Sequence, residues 1–238
     1  MSEHTVKAFD SELHELTRQI TEMGSLVVKQ IGDAVSSLAH HDVELARRVI
    51  AADADVDRLQ REIEENAVLT IARRQPMAVD LREIVASLRV ATGLERVGDY
   101  AKNISKRVIA TGAQIGPAAA VRGLQHMADL VVTALSQVLE AYAQRDVGKA
   151  LAVWNGDEAI DAANKALFVE LLADMMADPS TVPSGIHLLF CAKNIERIGD
   201  HATNIAETIY YIVQGVPLDA ERPRGDAIGG TMSPSAAK

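Results

Sequence analysis

Cysteine is nearly absent from this chain of 238 residues, and Cys191 is the single one. One thiol closes no internal disulfide and makes no CxxC zinc site. Its place in the apolar run 186–192 predicts a buried, inert group. Aromatic residues are scarce too, at 3% of the sequence, while hydrophobic residues make up 48%. Ala, Val, Leu and Ile must therefore fill the core, as they do between packed helices. Positive charge is in deficit: 24 Lys and Arg stand against 33 Asp and Glu, a formal net charge of −9. That balance argues against a general nucleic-acid binder, whose phosphate contacts need Lys and Arg clusters. It also disfavours adsorption to anionic lipid. No apolar run approaches the roughly 18 residues that crossing a bilayer takes. The opening MSEHTVKAFD carries no basic-then-apolar signal. The expected compartment is the cytoplasm, with no membrane insertion.

What is present is helical periodicity. Leu13, Leu16, Ile20, Met23, Val27, Ile31 and Leu38 recur at steps of three and four and predict a helix over Val6 to Ala39. Asp42 is a predicted N-cap for a second helix that runs to Arg74, where Gln75-Pro76 breaks it. A third covers Val79 to Ala110, and Gly112, Gly116 and Pro117 punctuate its end. The second half repeats the plan. A fourth helix covers Ala118 to Gln144, a fifth follows a cap at Asp146 and runs to Ala177, and a sixth spans Ser184 to Gln214. Pro179 and Pro183 mark the turn before the sixth. The expected architecture is all-α, with two tandem antiparallel three-helix bundles over residues 1–113 and 114–216. Residues 217–238 lack apolar periodicity and read as a disordered tail.

The repeat is visible in the letters themselves. Glu95 to Ile104 reads ERVGDYAKNI and Glu196 to Ile205 reads ERIGDHATNI, seven of ten positions being identical at a separation of 101 residues. A repeat of this length marks a duplicated structural unit. In each copy a Glu, an Asp and an Asn follow at intervals of four, so three oxygen-bearing side chains share a helix face. The candidates are Glu95 and Asp99, and Glu196 and Asp200, with Asn103 and Asn204 as supporting oxygens. Counting back from the break at Pro76 sets Asp57 level with Glu95, with Asp53 near Asp99; counting from Ser180 sets Asp161 level with Asp200, with Glu158 and Asp157 a turn away. Clustered carboxylates suit hard cations such as Mg²⁺, Mn²⁺ and iron. Spacing alone leaves a metal site and a solvated acidic face both open. Lys102 follows Asp99 by three residues and is placed to neutralise it, whereas the second copy has Thr203 there. Gly98 and Gly199, at one repeat position inside a helix, predict close packing. Arg96 and Arg197 are expected to pair with acids of a neighbouring helix or to hold an anion.

Two stretches carry a family likeness. RQPMAVDLREIVASLRVATGLERVGDYAKNI, from Arg74 to Ile104, and LLFCAKNIERIGDHATNIAETIYYIVQG, from Leu188 to Gly215, resemble the paired signatures of the PhoU family. The resemblance covers the chain except its tail. It implies tandem three-helix bundles with pseudo-twofold symmetry and usually a homodimer. It implies a negative regulator of the phosphate-starvation response that links the ATPase subunit of a phosphate ABC transporter to a sensor histidine kinase. The family's E(D)xxxD motif falls on Glu95 and Asp99 and on Glu196 and Asp200, and implies iron, manganese, magnesium or zinc. Other classes are a carboxylate-bridged di-metal enzyme or metal store, and a plain helical scaffold. No His here has Glu three residues before it, as ferritin-like sites require. Nor is there a Gly-rich phosphate loop.

Overall fold

The structure, a computed structural model, describes residues 2–111 and 116–219. The expected tail lies mostly outside them. Six long helices account for the fold: α1 (Ser2–His40), α2 (Val43–Arg74), α3 (Val79–Thr111), α4 (Ala118–Gln144), α5 (Val147–Ala177) and α6 (Val182–Gln214). The two caps that the sequence marks are in place. The carboxylate of Asp42 accepts from Leu45 N at 2.8 Å, and that of Asp146 accepts from Lys149 N at 3.0 Å. Each satisfies an amide that the first helical turn cannot pair internally. The residue before each cap, His41 or Arg145, takes a left-handed φ of 52° or 56°, which reverses the chain between antiparallel helices.

α1 begins at Ser2, four residues before the expected Val6, and the start of α6 differs as well. α6 starts at Val182 instead of Ser184, after a short 3₁₀ turn over Pro179–Thr181. Pro183 therefore lies inside the first helical turn. Its missing N–H and fixed φ are tolerated there, because first-turn amides have no intrahelical acceptor. The break falls at Asp178, whose side chain accepts from Ser180 N at 2.9 Å.

α1, α2 and α3 pack as one bundle, and α4, α5 and α6 as the other. The bundles also meet along α3 with α6 and α1 with α4, so the buried side chains form one continuous core. Leu94, Val97 and Ile104 of α3 and Ile195, Ile198 and Ile205 of α6 are fully or almost fully buried in it. α3 and α6 run antiparallel: Arg107 sits against Phe190, while Tyr100 lies beside His201. On the other seam, Gly24 of α1 is so close to Leu139 that an added Cβ would lie 2.6 Å from its methyl groups. A buried hydrogen bond of 2.9 Å between Ser87 and Tyr142 joins α3 to α4. Among the described residues no helix is long and apolar enough to cross a membrane. Cys191 is fully buried, and burial pushes its thiol up to about 12, as an inert core residue requires.

Candidate acidic turns on α3 and α6

Each acidic turn lies where the third helix of a bundle faces the second. In the first bundle Glu95 and Asp99 project from α3 and are partly buried. Burial raises the Glu95 carboxyl above its usual range and the charge of Asp99 adds to that; Arg96 opposes it, and Asp57 adds a lesser push. Asp57 of α2 thus contributes negative charge in the neighbourhood of Glu95. Asp53, one turn along α2, is buried and binds Lys102 of α3, which also donates to Asp99 Oδ1 at 2.7 Å. Burial works against the charge on Lys102, but its hydrogen bonds with Asp53 and Asp99 outweigh that and raise its pKa. Arg96 pairs with the acids of its own turn and also lines a cavity shared with α6. It lies 3.5 Å from Glu95 Oε2 and 3.9 Å from Asp99 Oδ2 on its own helix.

The second bundle repeats this register with different chemistry. Asp157 of α5 is buried, and Thr203 of α6 donates to it at 3.1 Å. Ile160 packs on Gly199, which sets the next residue, Asp161, level with the turn that carries Glu196 and Asp200. A hydroxyl thus replaces the ammonium of Lys102. A cation is nevertheless present, from the other side: Lys193, three residues before Glu196, pairs with its carboxylate. The first copy has Thr92 at the corresponding position. Arg197 lies 5.8 Å from the centre of the Tyr100 ring, across the seam between bundles. His201 stacks obliquely on the same ring at 5.7 Å, and burial lowers its pKa, with Asp200 acting in the opposite sense.

Both repeated glycines sit at close approaches. A Cβ at Gly98 would lie 3.2 Å from Gln30 Oε1 and 3.4 Å from Asp53 Oδ1, while one at Gly199 would lie 2.9 Å from Ile160 Cδ1 and 3.6 Å from Val131. Gln30 of α1 is thus the counterpart of Val131 of α4. It is buried, with neither amide atom hydrogen-bonded. The supporting residues Asn103 and Asn204 line two cavities between α3 and α6.

The donor set at either turn is oxygen only, which suits a hard divalent cation or iron. As the side chains stand, no group of three or more His, Cys, Asp or Glu among the described residues converges as a ligand shell. In the first bundle Lys102 occupies the space between two of the acids. Periodicity and turn counting bring out Glu95, Asp99 and Asp57 together. They do not reveal Gln30, Tyr100 or Lys193, which enter from α1, from the opposite bundle and from the preceding turn.

The paired units, the repeated acidic turns and the shared register coincide with a known domain. The family model described as the PhoU domain matches residues 20–108 and again 124–209. The chain belongs to the PhoU family. It is 52% identical over 223 residues to a phosphate-specific transport system accessory protein PhoU homolog of Rhizobium meliloti (strain 1021), a match covering 94% of each chain. It is similar to the crystal structure of PhoU from Pseudomonas aeruginosa, with a TM-score of 0.82 and 36% identity, covering 87% of this chain and 100% of that one. The phosphate transport system regulatory protein PhoU from Streptococcus pneumoniae also gives a TM-score of 0.82, at 30% identity, covering 89% of this chain and 100% of that one. PhoU proteins are accessory and regulatory proteins, not enzymes.

Proposed function

We propose that this chain is a cytoplasmic accessory protein of a phosphate-specific transport system and a negative regulator of the phosphate-starvation response. It acts by docking, linking the ATPase subunit of the phosphate ABC transporter to a sensor histidine kinase, and it works as a homodimer. The observation that carries this reading is the similarity, along nearly the whole of both chains, to a protein named for that system. The experiment is a deletion of the gene followed by a phosphate-starvation reporter in phosphate-rich medium. Expression should rise severalfold and return to its basal level on complementation. Unchanged expression overturns the reading.

The acidic turns, in this reading, bind metal. Glu95, Asp99 and Asp57 would hold one ion and Glu196, Asp200 and Asp161 another, and the ion would supply positive charge to relieve the repulsion among carboxylates. The support is the donor chemistry and the crowding of Glu95 by two further acids. Lys102 is mostly buried, with 22% of its side chain exposed, and bridges two acids, whereas Lys193 is 53% exposed and holds one. Lys193 is the easier to displace, so the second turn is the stronger site. Iron, manganese, magnesium and zinc are the candidates. Metal analysis of protein purified without chelator, before and after exhaustive chelation, should find stoichiometric metal that chelator removes. Metal-free protein that takes up none of the four on reloading excludes these sites.

A further inference from the structure

The pseudo-twofold relation makes the two cavities between α3 and α6 counterparts of each other, because residues 101 apart exchange places. One lies between the C-terminal half of α3 and the N-terminal half of α6 and has a volume of about 550 Å³. The other lies between the opposite halves and has a volume of about 740 Å³. Asn103 of the first corresponds to Asn204 of the second, and Arg197 to Arg96. The remaining charged positions have diverged. Lys106 and Arg107 stand where the second cavity has Glu207 and Thr208, and Lys193 stands where it has Thr92. The smaller cavity is therefore lined by Lys106, Arg107 and Arg197 together with His187, and by Lys193, which is paired with Glu196; no carboxylate is in its lining, in a chain of net charge −9.

Arg107 is held in place from two sides of the cavity. Its guanidinium lies over the Phe190 ring at 4.0 Å and 3.5 Å from His187 Nδ1, while its buried Nε has no hydrogen-bond partner. An arginine fixed against an aromatic ring keeps its planar donor fork pre-organised for phosphate oxygens. Cations gathered in one concavity repel one another until an anion enters, and the low-dielectric walls focus their field. Two amides, Asn103 and Asn194, add neutral donors. Phe190 and Lys193 also line an adjoining apolar cavity of about 410 Å³ with Phe168, Ile186 and Leu189. Both volumes lie within the range of small-molecule sites.

We propose that the basic cavity between α3 and α6 binds a phosphate-bearing small molecule, with its phosphate oxygens on Lys106, Arg107 and Arg197. The shared chemistry is the phosphate group, carried either by free phosphate or by a nucleotide whose base reaches past Phe190 into the apolar cavity. The site goes beyond the regulatory reading and does not rest on it. The test is calorimetric titration of the full chain with inorganic phosphate and, separately, with ATP, in chelator so that no metal at the acidic turns bridges to the probe. At least one probe should bind saturably. ATP binding about tenfold or more tighter than phosphate identifies a nucleotide, and equal affinities identify free phosphate. Arg107→Gln and Lys106→Glu should each weaken binding by about tenfold or more, while Arg89→Gln in the counterpart cavity leaves it unchanged. Lys106→Glu leaves the Arg107–Phe190 contact intact, so a folding defect in the first variant does not decide the result. If neither probe binds, or if binding survives Lys106→Glu in protein with an unchanged melting temperature, the proposal fails.

Discussion

The two bundles place a buried aspartate at the same point and give it different hydrogen-bond donors. Asp53 meets the ammonium of Lys102, with Gln30 beside it and Gly98 beneath. Asp157 meets the hydroxyl of Thr203, with Val131 and Gly199 in the corresponding places. Helix register, glycine and acid are kept, while their polar surroundings change. The backbone unit thus fixes where carboxylates collect, and neighbouring side chains decide how tightly each is held. At this level Gln30 and Lys102 of the first bundle stand where the second has Val131 and Thr203.

The glycines give the largest handle on that contrast. A leucine at either position overpacks the seam between the third helix and its partners. At Gly98 the intruding side chain meets a buried amide and a carboxylate, and at Gly199 it meets aliphatic groups that shift more readily. Gly98→Leu should cost about 3 kcal/mol and Gly199→Leu about 2 kcal/mol. Thermal and denaturant unfolding would show the order, and equal costs would mean that the polar interior makes no difference to packing there.

Lys102 tests the electrostatics directly. Lys102→Ala leaves Asp53 buried and without its ammonium and should cost about 2 kcal/mol, at the low end for a broken buried pair because Lys102 is partly exposed. Lys102→Thr recreates the second bundle's solution, since a hydroxyl there stands to donate to Asp53 as Thr203 does to Asp157. It should recover about half of the loss. If alanine and threonine are equally destabilising, the two aspartates are not equivalent.

Much of this was legible in the letters, for definite reasons. The caps at Asp42 and Asp146 and the six apolar stripes are local signals, and local signals survive folding. Counting back from the break sets Asp53 near Asp99, and both meet at Lys102, because an antiparallel pair closed at a known break fixes its own register. Pro183 misled, since a proline in a first helical turn looks the same in sequence as one in a loop. Arg96 pairs with Glu95 and Asp99 of its own helix, because side chains one and three residues away lie within reach of its guanidinium. The α3–α6 and α1–α4 seams were not legible, because a stripe of apolar residues does not say how many partners share it. The divergence of Lys106 and Arg107 from Glu207 and Thr208 lay in plain sight, just beyond the ten conspicuous residues of the repeat.

Gln30 offers a smaller effect of opposite sign. Its amide is buried without a hydrogen-bond partner where the second bundle has Val131. Methionine has a similar length and no amide to desolvate, so Gln30→Met should stabilise the protein by about 1 kcal/mol. A lower melting temperature would instead mean that the amide is hydrated through ordered water or engaged by Asp53, and that the first bundle's polar interior is fully satisfied.

The smallest change in stability should accompany the largest change in bound metal. Glu95→Gln with Asp99→Asn, and separately Glu196→Gln with Asp200→Asn, preserve shape and remove charge at partly buried positions. Like charges on one helical turn repel, so neutralising them offsets much of what is lost with Lys102 or Lys193. Each double variant should keep its helical circular dichroism and stay within about 1 kcal/mol of the parent. If the acids serve metal, the second pair should release more of it than the first, because Lys193 is exposed and holds one carboxylate whereas Lys102 is largely buried between two. Adding Lys102→Thr to the parent should then raise metal uptake at the first turn toward that of the second. A loss of helicity in either double variant would make the acids structural, and an unchanged metal content would leave the duplicated turn as a solvated face whose charges serve only to set helix register.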